Sequence, residues 1–200
     1  MEFTLFYRGK LPAQRNATRE DKHKIRRYFH DQLKELWRHT PLYQHFDLID
    51  PSFEPPSPAG AIVIVSDDDK PHLVKKVGAN KYTFVVSDQL ALVADLTITF
   101  LRPERPGGLR DEYGDLDNRI KTLLDGLKVP NAKNALPTDG SLQTDPDPLY
   151  CLLEDDRLIT SLDIKSDRLL DPDARPDEVV LLIHVRTRTT LGTHYNLGLM

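Results

Sequence analysis

Leu90-Ala91-Leu92-Val93-Ala94-Asp95-Leu96-Thr97-Ile98-Thr99-Phe100-Leu101 reads as a strand, with apolar residues at Val93 and then at every second position from Leu96 to Phe100. It runs into Arg102-Pro103-Glu104-Arg105-Pro106-Gly107-Gly108, where proline and glycine end regular pairing. A helix is predicted over about residues 117–127, with Ile120, Leu123, Leu124 and Leu127 on one side. Working outward, strands are expected over residues 3–7, 61–65, 82–86, 158–165 and 179–186. Residues 72–77 supply a hairpin partner across the turn Gly78-Ala79-Asn80. A first helix is predicted over about residues 19–38, with Ile25, Tyr28, Phe29, Leu33, Leu36 and Trp37 at helical spacing. Thr18 and Asp21 form its capping box and Pro41 marks its stop. Residues 51–58, with four prolines, read as an extended connection, and residues 129–150 as a long loop. Helices scattered among strands and a hairpin give an α+β class with a mixed sheet and two principal helices.

The 200 residues fit one domain, and 39% hydrophobic residues are enough for a packed core. No apolar run approaches the roughly 20 residues of a membrane span, so no membrane partner is expected. The N-terminus lacks the basic-then-apolar order of a signal peptide, which makes the cytoplasm the expected compartment. One cysteine, Cys151, excludes an internal disulfide framework and a Cys-rich zinc site. The net charge of −4 argues against a general nucleic-acid coat protein, yet it is unevenly spread. Residues 1–46 hold ten Lys/Arg against five Asp/Glu, much of the positive charge on the first helix. Lys22, Lys24, Arg26 and Arg27 there are either a solvated face or contacts to phosphates.

The chemistry concentrates in Asp115-Leu116-Asp117-Asn118-Arg119-Ile120-Lys121, with Asp125 further along and a second acidic knot at Glu154-Asp155-Asp156. Two aspartates at a loop-to-helix junction can point toward one spot, while Asp117, Lys121 and Asp125 recur every fourth residue along the helix. Convergent carboxylates repel unless a cation joins them, and hard oxygen donors suit Mg²⁺. Such an ion activates water and a phosphodiester, and a nearby lysine suits the charge that develops. The plainer readings are a capping aspartate, an exposed salt-bridge ladder and a charged turn. An EF-hand calcium loop is excluded, since it needs glycine where Ile120 stands and glutamate where Gly126 stands. The seven histidines form no H-E-x-x-H, and neither G-x-S-x-G nor a phosphate loop occurs.

Asp115-Leu116-Asp117-Asn118-Arg119-Ile120-Lys121, Asp125-Gly126-Leu127 and Asp155-Asp156-Arg157-Leu158-Ile159 together resemble the motif of the RusA family of Holliday-junction resolvases. The match runs from about residue 114 to 165, with a weaker echo in the first strand and Leu11-Pro12-Ala13-Gln14-Arg15-Asn16. The resemblance implies a Mg²⁺-dependent endonuclease, with Mn²⁺ as a possible substitute, that nicks opposing strands of a four-way DNA junction as a homodimer. It implies one RusA-like domain over residues 1–200, enlarged by insertions at about 46–87 and 129–150. Asp115, Asp117 and Asp156 would hold the metal, Asp155 would be a ligand or a support, and Lys121 would lie near the scissile phosphate. Asn118 and Asp125 would either back the ligands from behind or belong to the helix start. Arg102, Arg105, Arg110 and Lys165 are candidates for guiding the DNA backbone, against a plainer role as solvated loop and strand-end cations. The 129–150 loop falls between the ligand groups and is expected to border the site as a lid or a filter for junction shape. The alternatives are a nuclease for flaps or forks, or a DNA-binding module that retains the acidic site without turnover.

Overall fold

Burial alternates strictly at the core positions of Leu92–Arg102 (β4), so Leu92, Ala94, Leu96, Ile98 and Phe100 line one face. β4 lies inside a four-stranded sheet of order β1-β7-β4-β6, built with Glu2–Lys10 (β1), Glu178–Thr189 (β7) and Ile159–Arg168 (β6). β7 runs antiparallel to both β1 and β4, while β6 is parallel to β4, which makes the sheet mixed. A second sheet joins Val74–Val77 (β2), Asn80–Val86 (β3) and Leu149–Leu153 (β5), with β2 antiparallel and β5 parallel to β3. The helices are Arg19–Trp37 (α1) and Leu116–Leu127 (α2). The computed structural model describes residues 1–53, 70–103, 115–193, 195–196 and 198–199. The architecture is α+β with mixed sheets and two principal helices, as the sequence pattern predicts.

The hairpin closes through Gly78, whose φ of +66° lies in the left-handed region that favours glycine at a tight turn. The strand expected over residues 61–65 lies outside the described residues. β5 is the element that sequence reading misses, because residues up to 150 read as loop and no alternation follows. All five β5 residues are buried, as a strand covered on both faces requires, so periodicity carries no signal there. Among the described residues, no helix is long and apolar enough to cross a membrane.

α1 begins as predicted, with Thr18 and Asp21 exchanging bonds across the first turn. It buries Ile25, Phe29, Leu33 and Trp37. Tyr28 remains 39% exposed, since its ring stacks edge-on to Tyr7 at 4.8 Å and its hydroxyl accepts the Arg8 backbone N–H. α1 meets α2 at Gly126, where an added Cβ would stand 2.5 Å from Ile25 Cγ2 and 2.8 Å from its Cβ. Only a residue without a side chain permits that approach. His23 and His30 are buried on the same helix. His30 Nδ1 accepts the Tyr150 N–H at 3.0 Å, which fastens α1 to β5. Burial lowers both imidazole pKa values, outweighing in His23 the attraction of Asp145.

Gly126→Ala is expected to destabilise the chain by about 1–3 kcal/mol in urea unfolding. Adding Ile25→Ala should cost less than the sum of the two single changes, because it removes the clashing methyl; strict additivity would refute the contact. Stability should also fall as pH drops below the unfolded histidine value of about 6.5, because the lowered folded pKa values mean that the unfolded chain binds more protons. His30→Gln is expected to flatten the melting temperature between pH 7 and pH 5, and an unaltered slope would exclude His30 as a source.

Candidate functional site

α2 is aimed by what holds its two ends. At its start, the Gln14 N–H donates to the Asn118 carbonyl at 3.0 Å, and buried Arg119 donates Nε–H to the Leu11 carbonyl at 3.0 Å. The Arg119 guanidinium also lies 5.1 Å from the centre of the Phe100 ring, which ties the helix to β4. The Leu11-to-Asn16 turn, the weaker part of the sequence match, is therefore the segment that positions the acidic helix start. At the other end, buried Arg26 of α1 donates to the carbonyls of Asp125 at 2.7 Å and Lys128 at 2.9 Å. Those carbonyls have no partner within the helix, so a guanidinium satisfies both the bonds and the local dipole. Beyond Lys128 the Val129 N–H donates to the Leu153 carbonyl at 3.0 Å, delivering the chain to the end of β5.

Asp115 occupies the N-cap position of α2, but its carboxylate makes no capping bond and is exposed. Asp117 stands 65% exposed with Lys121 Nζ 3.4 Å away, one turn along. The plain capping role is thus absent for Asp115, while the exposed ion pair is present for Asp117. Asp125 does not continue that pair. It meets Lys22 at 2.7 Å and Lys128 at 3.3 Å. Lys128 in turn holds Asp156 at 2.9 Å, so that Lys22, Asp125, Lys128 and Asp156 form a continuous chain of opposite charges. Partial burial alone would raise the Asp156 pKa, but the hydrogen bond and charge of Lys128 outweigh it and hold the group below the usual aspartate value. Burial likewise acts to lower the Lys128 pKa, and the two aspartates overcome it and raise the value.

The acidic knot divides three ways. Glu154 accepts from the Ser87 hydroxyl at 3.1 Å, Asp155 accepts the Arg157 N–H at 3.0 Å, and Asp156 turns to Lys128. Asp155 thus caps the short 3-10 turn Asp156–Leu158. Asp117 and Asp125 lie eight residues apart, about 12 Å along the helix axis. Asp156 is joined to the Asp125 end. Among the described residues, no group of three or more His, Cys, Asp or Glu side chains stands together as a metal site. The expected trio of Asp115, Asp117 and Asp156 is therefore not gathered. In kind, the exposed carboxylates of Asp115 and Asp117 fit a hard cation such as Mg²⁺.

The expected DNA-facing cations are more dispersed than the sequence implied. Lys24 is exposed, and Arg27 is exposed beside Thr144 and Asp145. Lys22 is engaged by Asp125, and Lys165 is exposed on β6. Two assignments need correction. Arg26 is only 4% exposed because it caps α2, and Arg102 is 8% exposed at the end of β4. Neither is an open phosphate contact. Arg105 and Arg110 lie outside the described residues.

The 129–150 segment is fastened rather than loose. The Thr138 N–H donates to Glu20, His23 meets Asp145 at 3.1 Å, and Lys81 meets Asp147 at 3.2 Å. Its contacts run to α1 and the β2–β3 hairpin, an anchored position that the lid expectation did not foresee. Lys128 is the site residue that sequence reading missed. Its one visible signal is its position three residues after Asp125, at the helix end.

Comparison with protein-family models, with curated proteins and with solved structures finds no match to this chain.

Lys128→Met keeps most of the side-chain stem and removes the charge between two aspartates. It is expected to destabilise the chain by about 1–2 kcal/mol at neutral pH, a modest figure because Asp156 is partly solvated. Asp156 contributes its stability above its unfolded value near 3.8 and loses it as pH falls through the lower folded value. The difference between variant and wild type should therefore narrow under acid conditions. Urea titrations at pH 7 and pH 3 check this, and an equal difference at both would exclude the ion pair as its origin.

Proposed function

We propose that the chain is a Mg²⁺-dependent, structure-selective endonuclease that nicks four-way DNA junctions, of the kind its motif resembles in the RusA family. One observation carries the reading. Asp115 and Asp117 project exposed carboxylates from the start of α2, with Lys121 one turn further along. Neither carboxylate is spent on capping the helix, and the backbone beneath them is anchored by Gln14 and Arg119. An exposed acidic pair on a rigid support suits cation binding better than it suits stability.

On this reading Asp115 and Asp117 would hold Mg²⁺, with Mn²⁺ as a substitute, and Asp156, tied by Lys128 to the Asp125 end of α2, would join them only by leaving that ion pair. When bound, the ion supplies Lewis-acid activation of the phosphodiester and of water. Lys121 places a compact cation where negative charge accumulates on the phosphoryl oxygens. Lys128 holds Asp156 at 2.9 Å and favours its ionised form. Lys24 and Arg27 on α1 offer contacts to the DNA backbone. Two such sites across a homodimer would nick opposing strands. A second reading, a DNA-binding module without turnover, draws on the separation of Asp156 from the Asp115 end among the described residues.

A labelled four-way junction, with fork, flap and linear duplex controls, separates these readings. Wild type and Asp117→Asn are each incubated with Mg²⁺ and then with Mn²⁺. The expected result is symmetric nicking confined to the junction, reduced about 100-fold or more by the substitution. Equal cleavage of every branched form would favour the broader nuclease. A gel shift without wild-type nicking in either metal would favour the binding module.

A further inference from the structure

Residues 74–86, which form the β2–β3 hairpin, hold three lysines and no Asp or Glu, in a chain whose net charge is −4. The register sets Lys76 of β2 directly opposite Lys81 of β3, so two like charges share one face of the hairpin. Like charges opposed across strands destabilise a sheet. Asp147 relieves part of that repulsion by meeting Lys81 at 3.2 Å, and Lys76 stays exposed. Lys75, on the opposite face, meets Glu154 at 4.0 Å. Another exposed lysine reaches the same turn from a different segment. Lys133 brings its Cγ to 3.9 Å from where a Cβ on Gly78 would stand, and Leu136 Cδ1 lies 3.2 Å from that point. Asn80 donates to the Leu142 carbonyl at 3.5 Å. The 129–150 segment thus buttresses the turn, while β3 pairs with β5, the strand that leads to the acidic knot.

Protection of a sheet edge accounts for lysines on β2, which is the outer strand. It does not account for Lys81, which belongs to the inner strand β3, or for Lys133, which belongs to neither. What Lys76, Lys81 and Lys133 share is one positively charged turn, whose tip residues Gly78 and Ala79 are exposed. A small anion is held best in a concave cradle, whereas a polyanionic backbone can lie against a projecting ribbon. The major groove of duplex DNA is wide enough to admit a two-stranded ribbon, with phosphates along both of its walls.

We propose that the β2–β3 hairpin and Lys133 together form a contact for the phosphate backbone of a duplex DNA arm, through Lys76, Lys81 and Lys133. The two segments that enlarge the chain then serve one purpose, which is to extend the surface that holds DNA. The choice of DNA among polyanions rests on the nuclease reading. The contact itself lies outside the acidic start of α2 and can be tested without cleavage.

Fluorescence anisotropy with a labelled duplex, in EDTA and across about 50–200 mM salt, tests it. Lys76→Gln and Lys133→Gln are each expected to weaken binding roughly three-fold or more and to reduce the salt slope by about 0.9. Lys34→Gln removes one exposed charge from α1 and should bind as wild type does. Lys76→Glu sets opposite charges across the hairpin, so it should melt no lower than wild type while binding more weakly than Lys76→Gln. Misfolding could not give that combination. A wild type that does not bind the duplex, hairpin variants that bind like wild type, or an equal loss in Lys34→Gln would each overturn the proposal. Lysine-dependent binding without any nicking of a junction in Mg²⁺ would support the contact and overturn the nuclease reading alone.

Discussion

A guanidinium buried between two helices sets the geometry on which the remainder depends. Arg26 leaves α1, a helix otherwise read from its apolar side, and ends on the carbonyls of Asp125 and Lys128. A buried cation is tolerated only with such partners, and the last turn of α2 needs donors for its carbonyls. Each requirement meets the other. The contact fixes where α2 stops, brings Gly126 against Ile25, and sends Val129 toward Leu153. Through that exit the second sheet is joined to the helix pair.

Charge is handled the same way throughout the molecule. Lys22, Asp125, Lys128 and Asp156 alternate in sign across α1, α2 and the turn before β6, so carboxylates that would repel are separated by ammonium groups. On the outer sheet face, Arg188 is held bidentately by Asp95, and Arg8 lies between Asp171 and Glu178. Exposed pairs of this kind add little stability each. Asp117 follows the same pattern through Lys121 at 3.4 Å, and with Asp115 it gives the start of α2 an exposed acidic pair.

Much of the fold was legible along the chain. The 3.6-residue spacing of Ile25, Phe29, Leu33 and Trp37 located α1, the Thr18–Asp21 box located its first turn, and alternation from Leu96 to Phe100 located β4. β5 was not legible, because a strand buried on both faces carries no alternation and here follows a loop rich in proline. The acidic motif was legible as a set of residues but not as an arrangement. Asp117 and Lys121 are close because helical geometry alone makes them so. Asp156 and Lys128 are close only because Val129 pairs with Leu153 and a 3-10 turn then brings Asp156 back.

The sequence by itself determined what is local: which segments are helix or strand, where α1 begins, and which carboxylates share the start of α2. These follow from side-chain spacing and from bonds a few residues long. Only the tertiary structure decided that Arg26 and Arg102 are interior and that Asp156 belongs to Lys128. Arg26 and Arg27 are adjacent in sequence, yet one is sealed between helices and the other faces water. Whether a charge is buried depends on which distant carbonyl or carboxylate meets it, and chain spacing carries no record of that meeting.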